Sequence, residues 1–188
     1  ETGAGVAYCD VSTGETGVTE LKGQRYIERL LNELEKIRAK EVIANETVAL
    51  DGLLEEIKDA TGAYFSILES RHYNQNAAVE AVMRQFRVKS LKGLGIEESP
   101  LAVMALGALL SYLFETQKQD LSHLAFLKVY DTAGYMSLDK ATIKNLELTE
   151  TLFEKKVQGS LLGVLDRTQT AMGSRKMKQW LREPLNRL

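Results

Sequence analysis

Apolar positions recur along the chain with two different periods, and the points where the period changes mark out elements. Gly5 to Val11 and Thr16 to Leu21 are short β-prone runs on either side of Ser12, Thr13 and Gly14, which predicts a hairpin. Ile27, Leu30, Leu31, Leu34 and Ile37 then follow helical spacing with charged residues between them, one apolar stripe on an amphipathic helix. Glu41 to Ala44 and Ala63 to Leu68 are strand candidates. Leu50, Leu53, Leu54 and Ile57, running to Gly62, predict one helix, and Val79, Val82, Met83 and Phe86 another. Strands alternating with helices argue for a helix-covered parallel sheet, and the leading hairpin makes that sheet mixed. An RNase H-like or doubly wound α/β layout is the natural candidate.

Gly93, Gly95 and Pro100 interrupt this pattern before Leu101 to Phe114, a helix apolar nearly all round and therefore packed on several sides. Its polar tail, Glu115 to Asp120, is the expected domain boundary, giving domains of residues 1–118 and 119–188. Beyond it, 125–130 and 135–138 read as strand-like pieces. Asp139 is a possible N-cap for a helix carrying Ile143, Leu146 and Leu148. Thr170 can cap a last helix on which Met177, Trp180 and Leu181 share a face; the ordinary reading of Trp180 there is core, not base stacking. The second part is mainly helical and too short to close its own core.

Composition narrows the function classes. Of 188 residues, 44% are apolar and 27% charged, with a formal charge of −2, so the chain has the make-up of a soluble globular protein and no global nucleic-acid footprint. The charge is uneven, however. Residues 1–118 hold 13 Lys/Arg against 18 Asp/Glu, net −5, and residues 119–188 hold 11 against 8, net +3. The single cysteine, Cys9, forms no intrachain disulfide and fits a reducing compartment, and His72 and His123 alone fall short of a zinc site. No stretch approaches the roughly 18 apolar residues of a membrane span. A start at Glu1 without methionine, and an end soon after Pro184, suggest a piece of a longer protein.

Catalytic signatures are scarce. Gly173 to Lys176 lacks the first glycine and the spacing of a phosphate loop, and no dinucleotide fingerprint, nucleophile elbow or His-Glu-x-x-His pair occurs. Asp10 before Ser12 and Thr13 is the sharpest local feature. It reads as an Asx-type or ST-type turn in the hairpin, or as one carboxylate of a metal-dependent nuclease together with Glu46 and Glu69. The second reading needs all three acids to converge on metals about 3.5 to 4 Å apart. Arg167, Arg175, Lys176, Lys178 and Arg182, with Arg187, form a basic cluster that could meet phosphates or another domain, or be an ordinary solvated helix face.

Two stretches resemble one family. Ala7 to Glu15 is similar to the segment that opens the connector domain of bacterial MutS proteins, and Leu109 to Tyr112, with Thr116 and Gln117, to the helix leaving it. Tyr130 and Asp131, Met136 to Asp139, Asn145 to Glu150, Ser160 to Thr168, Thr170 to Arg175 and Trp180 to Leu185 resemble in order and spacing the start of the MutS core, or lever, domain. The resemblance implies an RNase H-like connector, residues 1–118, followed by the start of a lever, residues 119–188. It implies a non-catalytic relay in a DNA mismatch-recognition ATPase, with a surface for MutL. Mismatched duplex DNA, ATP, magnesium and a homodimer belong on this reading to the full-length protein, which is cytoplasmic and nucleoid-associated when on DNA; no cofactor or metal is expected for the fragment. Family topology also places a strand ahead of residue 1, which would make residues 5–11 antiparallel to those at 42 and 64 and point Asp10 away from Glu46 and Glu69. Exposed apolar surface is expected around Leu161, Leu165 and Trp180, where the rest of a lever would pack.

Overall fold

The computed structural model describes residues 3–50, 52–117, 121–132, 134–136, 138 and 140–186, apart from the side chains of Leu50, Gln117 and Lys140. The expected cap at Asp139 lies outside them. In chain order the elements are β1 (Gly3–Asp10), β2 (Glu15–Lys22), α1 (Tyr26–Ile37), β3 (Glu41–Asn45), α2 (Glu46–Leu50), α3 (Leu53–Thr61), β4 (Tyr64–Leu68), α4 (Gln75–Phe86), α5 (Pro100–Gln117), β5 (Leu127–Val129), α6 (Lys140–Asn145), α7 (Leu161–Leu165) and α8 (Ala171–Arg182). They fall into two compact units that divide between Asp131 and Thr132.

In the first unit the predicted hairpin forms: β1 and β2 pair antiparallel, with Val6 opposite Thr19 and Asp10 opposite Glu15. Strand β5 joins the other edge of β2 in parallel, Leu127 to Val129 lying against Thr16 to Val18. Strands β3 and β4 pair in parallel, as their spacing implied, from Glu41 opposite Tyr64 to Asn45 opposite Leu68. The class is therefore mixed α/β with flanking helices. The strands do not form the single sheet expected, because no ladder joins β1 to β3 among the described residues. The helix expected from Leu50 to Gly62 is likewise two helices, interrupted at Gly52, whose φ of +72° is a left-handed conformation that glycine adopts at least cost.

The alternation of β2 divides its side chains between two cores. Val18 packs with Val82, Ile96, Val103 and Leu106 from α4, α5 and the loop before α5. Leu21, with Val6 of β1, packs with Leu30 of α1, Val42 of β3 and Ile57 of α3. Helix α5 is held close to both its neighbours by glycines. A Cβ on Gly5 of β1 would lie 2.0 Å from the Leu101 carbonyl oxygen, and a Cβ on Gly107 would lie 2.4 Å from Cβ of Ala78 in α4. Pro100 opens α5 at the position where a missing N–H costs nothing. The Glu20 carboxylate accepts from the Ala102 amide at 3.0 Å, which satisfies one of the free donors of the first turn.

The second unit is mainly helical with a small core. Among its described residues, Leu148, Thr149, Ser160 and Leu162 are buried. Backbone bonds from Leu161 N–H to Glu147 O at 3.0 Å and from Leu162 N–H to Leu148 O at 2.9 Å bind the start of α7 to the turn after α6. The expected cap of the last helix is present: Thr170 Oγ1 accepts from the Gly173 amide at 3.0 Å. Ser160 caps α7 in the same way, its Oγ accepting from Gly163 N–H at 3.2 Å. Of the strand-like piece at 135–138, the described residues 135, 136 and 138 belong to no strand, and Tyr135 forms an isolated antiparallel bridge with Leu185.

Candidate functional site

Asp10 ends β1 and its side chain closes the hairpin turn. Oδ1 accepts from Ser12 N–H at 2.9 Å, Ser12 Oγ–H at 2.6 Å and Thr13 N–H at 3.3 Å. These bonds, led by the Ser12 hydroxyl, hold the carboxyl below its ordinary pKa. The other two acids of the nuclease reading are engaged elsewhere. Glu46 begins α2 and accepts from Ser70 Oγ–H at 3.3 Å, and Glu69, after β4, pairs with Arg71 at 3.1 Å. Among the described residues no three His, Cys, Asp or Glu side chains gather to hold a metal ion. The structure thus supports the turn reading of Asp10 and gives none to the nuclease alternative. His123 serves the same turn, its Nε2 lying 2.9 Å from the Val11 carbonyl, and His72 Nδ1 lies 3.3 Å from Ser111 Oγ. Cys9 is half-buried in β1, and burial raises its thiol pKa.

The basic cluster is spread over one loop and one helix. Arg167 precedes α8 and is exposed, as are Arg175, Lys176 and Lys178 on it; Arg182 in the last turn is half-buried. Arg175 Nε donates to its own helix at Ala171 O, and Lys176 bonds Gln179 and lies 5.9 Å from the Trp180 ring centroid. Asp166, below its ordinary pKa through its bond from Ser174, also accepts from Thr168 N–H and Oγ–H, bracing the entry to α8. Gly173 to Lys176 lies inside that helix with the Gly173 amide taken by Thr170, so the segment does not fit a nucleotide phosphate.

Trp180 is not core: it is 58% exposed, and Leu161 and Leu165 are 41% and 45% exposed. The exposure expected at these three residues is present.

Three long-range polar contacts had no signal in the sequence. One is the Glu20 carboxylate at the start of α5, with Lys22 Nζ 2.7 Å from its other oxygen. Another is Gln85 of α4, whose Nε2 donates to the carbonyls of Leu121 at 2.8 Å and Leu124 at 3.0 Å. The third is Tyr130, whose hydroxyl donates at 2.8 Å to Oε1 of Glu33, a carboxylate buried on α1. Helical periodicity places Glu33 among the polar positions of α1, where Lys36 one turn on lies 3.4 Å from its Oε2, but the tyrosine hydroxyl on Oε1 comes from the segment that follows β5.

The described residues thus define a two-part chain, an α/β unit followed by a mainly helical one whose apolar side chains at Leu161, Leu165 and Trp180 are uncovered. Comparison with known proteins makes this specific. The family model for MutS domain II matches residues 1–125 and that for MutS domain III matches residues 141–188, and the chain belongs to the MutS family. It is 40% identical over 182 residues to the DNA mismatch repair protein MutS of Lachnoclostridium phytofermentans, covering 96% of this chain and 19% of that protein. The MutS proteins of Symbiobacterium thermophilum and Alkaliphilus metalliredigens are 40% and 41% identical, each covering 98% of this chain and 21% of the relative. The chain thus spans about a fifth of the length of these relatives. No helix among the described residues is long and apolar enough to cross a membrane.

Proposed function

We propose that this chain acts in DNA mismatch repair as the connector and lever base of a MutS protein, relaying change between a mismatch-binding part and an ATPase part without chemistry of its own. The observation that carries this reading is that the two matched MutS domains fall one in each compact unit. On this reading residues 1–118 are an RNase H-like connector and 119–188 the start of the lever. Residues of β1 and of β3 share one apolar cluster although no ladder joins their strands, which supports a further strand from chain ahead of residue 1 lying between them. Mismatched duplex DNA, ATP with magnesium, and homodimer formation are properties of the whole bacterial protein. A MutL-like protein is the partner of the connector.

Arg167, Arg175, Lys176, Lys178 and Arg182 are proposed to face a neighbouring domain of the whole protein through charge, beside the apolar surface of Leu161, Leu165 and Trp180. Two measurements test the reading. In a full-length relative, lengthening the segment between residues 126 and 132 by a flexible insert should weaken mismatch stimulation of ATP turnover while turnover without DNA persists; unchanged stimulation removes the relay. For the fragment, anisotropy with a labelled bacterial MutL should show binding that Arg175→Ala leaves intact. Filter binding to duplex DNA at low salt that Arg175→Ala abolishes would instead assign the basic face to phosphate.

A further inference from the structure

We propose that the first unit carries a docking slot for an extended segment of a partner protein, a short strand bearing lysine or arginine that adds antiparallel to β2 at Glu20. The slot stands apart from the relay reading, and its failure would leave that reading untouched.

The ladder between β2 and β5 stops short. It covers Thr16 to Val18, and the Tyr130 N–H adds one bond, 3.2 Å to Val18 O. Main-chain groups of successive residues in a strand face alternate edges, so Glu20 turns its N–H and C=O to the same edge as Val18. Among the described residues neither group has a hydrogen-bond partner. At the next such position the edge is closed again, because Arg29 Nη1 donates to the Lys22 carbonyl at 3.1 Å. The opening thus offers one donor and one acceptor on a single residue. In an antiparallel pair one residue of the incoming strand takes up both, whereas parallel pairing would spread them over two. An open sheet edge of this kind is a template for another chain.

There is room for that chain. A cleft of about 340 Å³ runs beside Glu20, lined also by Ile96 and Ala102 towards α5 and by Val129 and Asp131 towards β5. All of them lie in the first unit. Ile96 and Ala102 are buried apolar residues, which suits a small aliphatic side chain on the residue opposite Glu20.

Charge selects what flanks that residue. The Glu20 carboxylate is already engaged, one oxygen by the Ala102 amide and the other by Lys22 Nζ at 2.7 Å. Lys22 is neutralised in the same contact, and it also reaches the Glu98 carbonyl at 3.5 Å. Asp131 belongs to the lining, and Glu97 and Glu98, both exposed, stand in sequence between the lining residues Ile96 and Ser99. The rim is acidic, and ammonium or guanidinium groups on either side of an aliphatic residue complement it.

The test is an NMR titration of the whole isotope-labelled chain with the blocked peptide acetyl-Thr-Lys-Val-Lys-Thr-amide. The Glu20 amide should shift most and gain protection from hydrogen exchange as the site fills. Methylating the valine nitrogen of the peptide removes the donor to Glu20 O and should weaken binding roughly tenfold, the worth of one such bond. Replacing the two lysines by glutamates should weaken it by at least as much, and Glu97→Lys with Glu98→Lys, both at exposed positions, should reverse the preference between the two peptides. No shift at Glu20, equal binding of the methylated peptide, or equal binding of the lysine and glutamate peptides would each overturn the slot. The same shift from lysine amide alone would also overturn it, marking an ammonium site instead of a strand site.

Discussion

The contact between α4 and α5 lends itself to a decisive substitution, Gly107→Ala. Two effects oppose each other. In an open helix interior, alanine is favoured over glycine by roughly 1 kcal/mol, so propensity alone makes the variant more stable. Packing acts the other way: the new Cβ would lie 2.4 Å from Cβ and 2.5 Å from Cα of Ala78, which is 2% exposed. Both are stiff atoms on helices, and a contact distance of 3.4 Å requires the helices to part by about 1 Å at this crossing. A gap of about that size forfeits a quarter to a half of each dispersion contact it opens. The contacts at risk are those of Val82, Val103, Leu106 and Leu110, all buried in the same cluster. Overpacking of this kind costs about 1 to 3 kcal/mol, and a clash on stiff atoms belongs to the upper part of that range, so after the propensity gain a net loss on the order of 1 kcal/mol should remain. Urea unfolding followed by far-UV circular dichroism should show a lower midpoint with an unchanged slope. Ala78→Gly in the same chain should recover part of the loss, although alone it destabilises, because it removes the atom that is struck. A midpoint equal to or above that of the parent chain would show that the crossing yields freely and refute the packing argument.

The caps of the second unit should each be worth about 1 kcal/mol, so Thr170→Ala and Ser160→Ala should lower the unfolding midpoint by comparable amounts, and Thr170→Ser should restore most of the first. Asp10→Asn tests the turn through its pH dependence. The folded pKa is depressed, so the carboxylate stabilises the fold above its unfolded pKa, near 4, and that contribution fades as pH falls through the unfolded and then the folded value. The difference between parent and Asp10→Asn should therefore narrow from pH 7 to pH 3, and a constant difference would mean the charge has no part in the turn.

Local periodicity carried much of this fold. The stripe from Ile27 to Ile37 became α1, the turn residues between Val11 and Thr16 became the hairpin, and Thr170 became the cap it resembled. The break at Gly52 was hidden because Leu50, Leu53, Leu54 and Ile57 keep helical spacing across it, and a lone glycine in a helical pattern is often tolerated. The placement of β5 beside β2 joins residues more than a hundred positions apart in sequence, beyond the reach of any local pattern. Glu20 at the start of α5 and Tyr130 on Glu33, 82 and 97 positions apart, are likewise beyond local reach. Trp180 was misplaced because its spacing with Met177 and Leu181 defines a helix face without saying whether anything lies against it. Family membership was legible in Ser160 to Arg175 and Trp180 to Leu185, whose order the comparison with MutS domain III matches over the same residues. The individual roles of the arginines and lysines in that region were not, since a basic helix face has the same pattern whether it meets solvent, phosphate or protein.

The exposure of Trp180 gives the chain a built-in optical reporter. It is the only tryptophan present, and its indole sits on α8 with a lysine ammonium near its ring. Anything that covers this surface must remove water from that ring and displace or enclose Lys176, which would shift the emission to shorter wavelength and shield it from iodide quenching. Docking of a neighbouring domain on the helical unit can thus be followed without a label, and independently of events in the α/β unit, which contains no tryptophan.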